Sequence, residues 1–176
     1  IRTVQSRYED TLWDIAMRES IGQESIQRVN PDVDIWLPGE GTTITLPTQH
    51  VLPRGPRKGL VLNLPEMRMY YYAPKKPGYP AQVQTYPIGI GRMDWATPLG
   101  STSITQKIKD PSWTPPKSIR AEHAAKGDPL PAVVPAGPNN PLGRYAMRLG
   151  IPGYLIHSTN KPMGVGMRIS HGCIRM

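Results

Sequence analysis

Leu60-Val61-Leu62-Asn63-Leu64-Pro65-Glu66-Met67-Arg68-Met69-Tyr70-Tyr71-Tyr72 sets two apolar, strand-length runs on either side of a Pro-Glu step. Runs of this length, rich in branched and aromatic residues and broken by turn chemistry, predict a β-hairpin. Toward the C-terminus, Val83 to Ile90 predicts a further strand, and no long helical period appears until Ile119 to Lys126. Turn residues recur at short intervals, so this part of the chain is expected to be mainly β, a sandwich or barrel with one short helix. Tyr70 to Tyr72, with Met67 and Met69, read as strand faces alternating between core and surface rather than as a ligand box. Gly89-Ile90-Gly91 follows a strand, but Arg92-Met93-Asp94 opens no helix and the third glycine is missing, so a turn is expected there and not a dinucleotide site.

Toward the N-terminus, residues 48–58 carry Pro53, Gly55 and Pro56 among basic residues and form a stiff connector. Residues 1–47 have a different period. Ile1 to Val4 predicts a strand, and Asp10 is the expected N-cap of a helix whose apolar face carries Leu12, Ile15 and Ala16. A second short helix fits residues 23–29, ending at Asn30-Pro31 because a residue before proline is pushed out of the helical region. Pro38-Gly39 and Gly41 make a loop, after which Thr42, Ile44 and Leu46 alternate with Thr43 and Thr45 as a strand. The expected order is βααβ, a small α+β unit ahead of the β-rich one.

The window 110–141 holds Pro111, Pro115, Pro116, Pro129, Pro131, Pro135, Pro138 and Pro141, which excludes a central strand or long helix. A loop this long in a compact domain is usually functional. Docked by Trp113, Leu130 and Val133, it is expected to act as a partial lid.

Lys and Arg number 21 against 13 Asp and Glu, a net charge of +8 in 176 residues. Such a balance favours anionic partners. The basic residues are scattered and not interleaved with aromatics, which argues against nucleic acid. No run approaches the ~20 apolar residues of a membrane-spanning helix. The chain opens on Ile1 with neither a basic n-region nor an apolar h-region, so an export signal is expected to lie outside it. A single cysteine, Cys173, excludes an internal disulfide and a multi-cysteine zinc site.

That cysteine sits in Ser170-His171-Gly172-Cys173, sixteen residues after His157, which ends the apolar run Tyr154-Leu155-Ile156. A free thiol of pKa about 8.5 is only a few per cent thiolate at neutral pH, so a working nucleophile needs a partner for its proton. Two histidines compete. Residues two apart on one strand point in parallel, so His171 cannot turn toward Cys173, whereas His157 on a neighbouring strand can. Gly172 leaves room for substrate and lets backbone N–H groups converge on a developing oxyanion. Two other readings stay open from the residues alone. Cys173, close to Ile169 and Ile174, fits simple burial, and His157, His171 and Cys173 fit three ligands of a zinc ion.

His157 followed by Ser170-His171-Gly172-Cys173-Ile174-Arg175 closely resembles the active-site signature of the YkuD family of L,D-transpeptidases. Pro87-Ile88-Gly89-Ile90-Gly91, Thr97-Pro98-Leu99-Gly100 and Asn140-Pro141-Leu142-Gly143 match further pieces, so the resemblance spans residues 59–176. The short interval from His157 to Ser170, and Arg175 where many members have asparagine, are similar to the Gram-negative branch. Members usually continue past the position of Met176, so a closing element is expected beyond it. Residues 1–47 resemble the LysM carbohydrate-binding module through Glu9-Asp10-Thr11-Leu12, Ile15-Ala16, Asn30-Pro31, Leu37-Pro38-Gly39 and Ile44-Thr45-Leu46-Pro47, with Tyr8 where that family commonly has glycine.

The resemblance implies a β-sandwich catalytic domain in which Cys173 attacks the carbonyl between meso-diaminopimelate and the terminal D-Ala of a peptidoglycan tetrapeptide stem. D-Ala leaves, a thioester remains, and an acceptor amine resolves it. His157 would be the base, oriented by the Ser158 carbonyl, with the Gly172 and Cys173 N–H groups as oxyanion donors and Ser170, His171 and Arg175 as substrate-binding residues. No cofactor or metal is implied. The expected partners are stem peptides and glycan strands, with an outer-membrane lipoprotein as an alternative acceptor, and the expected compartment is the periplasm. A cysteine carboxypeptidase or endopeptidase of wall peptides, and a noncatalytic wall-binding protein, are the alternatives.

Overall fold

The computed structural model of the chain describes residues 2–176; Ile1, expected in the first strand, lies outside the described residues. The N-terminal part runs β1 (Arg2–Gln5), α1 (Leu12–Arg18), α2 (Gln23–Val29) and β2 (Thr43–Leu46), the expected βααβ order. β1 and β2 pair antiparallel with Val4 opposite Ile44. Leu12, Ile15, Ala16, Ile21, Ile26, Ile44 and Leu46 form one buried cluster between the helices and this ribbon. Burying each of the larger side chains contributes about 1.5–3 kcal/mol, which is what holds two seven-residue helices that would not persist alone.

The cap of α1 is Thr11 rather than Asp10. The Thr11 hydroxyl accepts the Asp14 N–H at 3.1 Å and the Asp14 carboxylate accepts the Thr11 N–H at 2.9 Å, a reciprocal capping box. Asp10 sits one residue too early to reach that turn. It accepts the Arg7 N–H and pairs with Arg18 at 2.8 Å, which holds its carboxyl below the usual range.

Beyond the connector, β3 (Gly59–Asn63), β4 (Arg68–Tyr72) and β5 (Val83–Pro87) form an antiparallel meander, and the Pro65-Glu66 hairpin stands where the sequence places it. A four-stranded sheet lies opposite, built from β7 (Ile104–Lys109), β8 (Tyr145–Leu149), β9 (Leu155–His157) and β11 (Ile174–Arg175) in the order β11-β9-β8-β7. Met69, Ile88, Ile90, Ile156 and Ile174 meet between the two sheets, with Leu60, Leu62, Met147 and Leu149 packed against them. The fold is mainly β with few helices.

The run from Val83 to Ile90 is not one strand. It leaves the meander after Pro87, and Gly89 exchanges two backbone hydrogen bonds with Arg175, each 2.9 Å. It continues as β6 (Ile90–Gly91), parallel to β10 (Arg168–Ser170). One stretch of chain thus ties the meander to the segment around Cys173.

Residues 110–141 leave and rejoin the sheet through a Trp113–Val134 bridge, whose N–H···O bonds are 2.8 and 2.7 Å, and carry α3 (Lys117–Ala125). Val133, expected to dock this segment, is 52% exposed; the backbone of Val134 does so instead.

The two parts touch through α2. Its first-turn N–H groups, which a helix leaves unpaired, donate to the segment between β9 and β10: Gln23 to Val165 O at 3.3 Å and Glu24 to Gly166 O at 3.2 Å. Gly166 has φ +80, and a Cβ there would lie 2.3 Å from the Gly22 Cα, so only glycine permits this approach.

Candidate active site

His157 and Cys173 come together because β9 and β11 are parallel neighbours, with Ile174 opposite Ile156 and Arg175 opposite His157. Successive residues of a strand point to opposite faces. Ile156 and Ile174 fill the core, so Leu155 and His157, with Cys173 and Arg175, share the other face. Cys173 therefore stands beside Leu155 and diagonal to His157. The thiol itself donates toward Gly153 O at 3.8 Å.

The imidazole is held in one tautomer. A carbonyl can only accept, so the 2.5 Å contact between His157 Nδ1 and Ser158 O places the proton on Nδ1 and leaves Nε2 as the acceptor. Ser158 is fixed in turn: its N–H donates to Tyr145 O at 2.8 Å, and its hydroxyl accepts the Tyr145 N–H at 2.9 Å. Asn140, fully buried, knits the turn beneath, donating to Pro111 O at 2.8 Å and Pro135 O at 3.0 Å and accepting the Leu142 N–H at 2.9 Å. The motif Asn140-Pro141-Leu142-Gly143 thus supports the residue that orients His157.

Burial sets the protonation states. His157 is 5% exposed, and desolvation lowers its pKa to about 4, outweighing the Ser158 hydrogen bond. Burial likewise raises the Cys173 thiol, against the Leu155 backbone hydrogen bond and the Arg175 charge, which lower it. At neutral pH the resting pair is a thiol and a neutral imidazole. Arg175 is itself desolvated, and its buried Nε has no hydrogen-bond partner among the described residues.

The backbone around Cys173 is pinned on both sides. Ser170, 1% exposed, donates its hydroxyl to Cys173 O at 2.6 Å. Thr97 donates to Gly172 O at 2.8 Å and accepts the Gly91 N–H at 3.0 Å. Gly172 has φ +98, and a Cβ on Gly91 would fall 2.1 Å from Trp95 O and 2.9 Å from the Gly172 Cα. The Cys173 N–H has no acceptor among the described residues.

His171 turns away from Cys173. Its Nε2 donates to Glu122 on α3 at 2.9 Å, and its ring meets Trp95 edge to face at 5.0 Å. Glu122 also takes Arg92 at 3.0 Å and Lys126 at 2.7 Å, and these cations hold its carboxyl far below the usual range. Of the three zinc ligands the sequence leaves open, the structure therefore brings only His157 and Cys173 to one face. No group of three or more metal-holding side chains occurs among the described residues. Thr97 and Glu122 were not singled out by sequence. Thr97 appeared only inside a motif, and Glu122 lies 49 residues from His171, beyond any local pattern.

Residues 57–176 match the YkuD family, the L,D-transpeptidase catalytic domain. The chain belongs to that family. The Escherichia coli (strain K12) protein named "Probable L,D-transpeptidase YcfS" is 46% identical over 92% of this chain and 51% of its own length. The "Probable L,D-transpeptidase ErfK/SrfK" of the same organism is 42% identical over 99% of this chain and 55% of its own. The chain thus spans about half the length of these relatives, and the second match includes the βααβ part as well as the YkuD domain. Among solved structures, L,D-transpeptidase 3 from Mycobacterium tuberculosis aligns with 69% of this chain and 53% of its own at 20% identity, with a TM-score of 0.44. The YkuD match begins two residues before β3 and includes His157, Ser170 and Cys173.

Proposed function

We propose that this chain carries an L,D-transpeptidase that acylates itself at Cys173 with a peptidoglycan tetrapeptide stem and passes the acyl group to an amine. The observation that carries the reading is the parallel β9–β11 pair, which sets Cys173 and His157 on one face with His157 Nε2 as its free acceptor. Membership of the YkuD family supports the chemistry.

The neutral resting pair makes His157 a general base at the moment of attack rather than the partner of a preformed thiolate. Sγ bonds to the carbonyl carbon between meso-diaminopimelate and D-Ala while the thiol proton passes to His157 Nε2. The carbonyl electron pair moves to oxygen, where the Cys173 and Gly172 N–H groups receive it. On collapse the C–N bond breaks, the imidazolium returns its proton to the D-Ala amine, and a thioester remains. The acceptor amine then forms a new C–N bond, His157 takes its proton, and the C–S bond breaks as that proton passes from Nε2 to Sγ, restoring the thiol. Ser158 orients the base. Arg175, whose buried Nε has no partner among the described residues, is placed for a stem carboxylate.

Residues 1–47 act in this reading as a LysM glycan-binding module, 48–58 as its connector and 59–176 as the catalytic domain. Trp36 packs edge to face on Trp13 at 4.5 Å and, with its chain neighbour Leu37, is exposed, an apolar surface suited to sugar rings. Such binding raises the local concentration of stems at the site. The substrate places the enzyme in the periplasm, where the acceptor is a second diaminopimelate or a lipoprotein lysine.

The test is incubation with purified disaccharide-tetrapeptide, with products separated and weighed. Release of D-Ala together with a cross-linked dimer supports transfer; release with only tripeptide identifies hydrolysis. No D-Ala release contradicts the proposal.

A further inference from the structure

We infer that Thr97 is a positioning residue that aims the oxyanion donor. This rests on the reading of Cys173 as the acylated nucleophile. In a trans peptide unit the C=O and the following N–H point in opposite directions. Fixing Gly172 O therefore fixes the Cys173 N–H. The Thr97 hydroxyl does this: it donates to Gly172 O at 2.8 Å across 75 residues of sequence, and its own oxygen is held by the Gly91 N–H at 3.0 Å. Thr97 is 9% exposed, so water does not readily replace it.

The surroundings leave that hydroxyl with a defined task. Gly172 has φ +98, a region in which the peptide after glycine can swing without a Cβ to stop it. A Cβ on Gly91 would fall 2.9 Å from the Gly172 Cα, and one on Gly172 would fall 2.8 Å from the Tyr154 ring, so the backbone is closely packed on both sides of this peptide. What keeps the Gly172–Cys173 peptide from rotating is then the Thr97 hydrogen bond on one side and the Ser170 hydroxyl on Cys173 O, at 2.6 Å, on the other. Between these two anchors lies the Cys173 N–H, without an acceptor among the described residues. When Sγ bonds to a carbonyl carbon and the electron pair moves to oxygen, this N–H is the donor already aimed at it. A donor fixed before the reaction needs no reorganisation during it, and loss of one such donor slows acyl transfer about 10²–10³-fold.

The test separates attack on a carbonyl from attack on a saturated carbon. Acylation of Cys173 by a carbapenem passes through an oxyanion; alkylation of the same thiol by iodoacetamide does not. Thr97→Val keeps the shape and removes the hydroxyl, and is expected to lower the saturating acylation rate about 10–100-fold. Half-saturation by the carbapenem and the alkylation rate are expected to stay within about twofold of the parent, since neither forms an oxyanion. Thr97→Ser, which restores the donor, is expected to recover acylation to within about threefold. If Val packs badly against Gly172 O, Thr97→Ala serves the same arm without an added methyl. Acylation at the parental rate in the hydroxyl-free variants overturns the inference. So does a parallel fall in alkylation, which would mean general damage, or a Thr97→Ser variant as slow as Thr97→Val. If the parent itself forms no adduct at Cys173, it is the functional reading that fails, not the role of Thr97.

Discussion

The aliphatic cluster of the N-terminal part and the far face of the β9–β11 pair take different kinds of side chain out of water. Between α1, α2 and the β1–β2 ribbon the core is Leu12, Ile15, Ala16, Ile21, Ile26, Ile44 and Leu46, all aliphatic. Along β9 and β11 the far face buries an imidazole and half-buries a thiol and an arginine, whose Nε lacks a partner among the described residues. The first arrangement contributes only stability. The second gives up stability, because desolvation penalises every charged form there, and holds a neutral imidazole and a protonated thiol on one face. The packing of the N-terminal cluster and the chemistry of the β9–β11 face rest on different elements, and substitutions in one should leave the other's property intact.

The largest separation is expected from Cys173→Ala. D-Ala release should fall at least about 10³-fold, as when a nucleophile is removed. Sedimentation with isolated cell wall, which the proposed glycan-binding role assigns to the N-terminal part, should be unchanged. If wall binding falls with activity, the segregation is broken.

His157→Gln comes next, with a loss of about 10²–10⁴ in the acylation rate. It also tests the cost of burial. The folded chain keeps His157 neutral down to a pKa of about 4, whereas the unfolded chain takes up its proton near 6.5. Between these values the unfolded state binds more protons, so stability falls as pH falls through the window, by up to about 3 kcal/mol. Urea denaturation at several pH values should show that slope in the parent and a smaller one in His157→Gln.

In the aliphatic core, Leu12→Ala should cost about 3 kcal/mol in urea denaturation of the N-terminal part. Per folded molecule, acylation of Cys173 should remain within about twofold. A larger change would mean that the contact of Gln23 and Glu24 with Val165 and Gly166 couples the two parts. A smaller effect is expected from Thr11→Ala, about 1 kcal/mol, from loss of the capping box. Asp10→Ala should cost less, because its partly exposed pair with Arg18 is no cap.

Local signals were legible and long-range ones were not. The Pro65-Glu66 hairpin, both N-terminal helices and the short helix after Pro116 follow from period and turn chemistry within a few residues. β7 and β8 left little trace: β7 is mostly exposed, and β8 alternates Ala146 with exposed or half-buried neighbours. The break in Val83 to Ile90 comes from Gly89 pairing with Arg175, a partner 86 positions away that no window contains. At the site, strand alternation and the spacing of His157 and Cys173 were enough to favour one histidine over the other. Thr97, Glu122 and the neutral state of the pair depend on what folds against them.

The central claim is that Cys173 is acylated, and intact-mass measurement after a denaturing quench with a tetrapeptide stem tests it most directly. The account requires a mass gain equal to the stem less D-Ala, on the peptide containing Cys173, removed by hydroxylamine as a thioester must be. A quench that traps no adduct while D-Ala is released, or an adduct on any other residue, would contradict it.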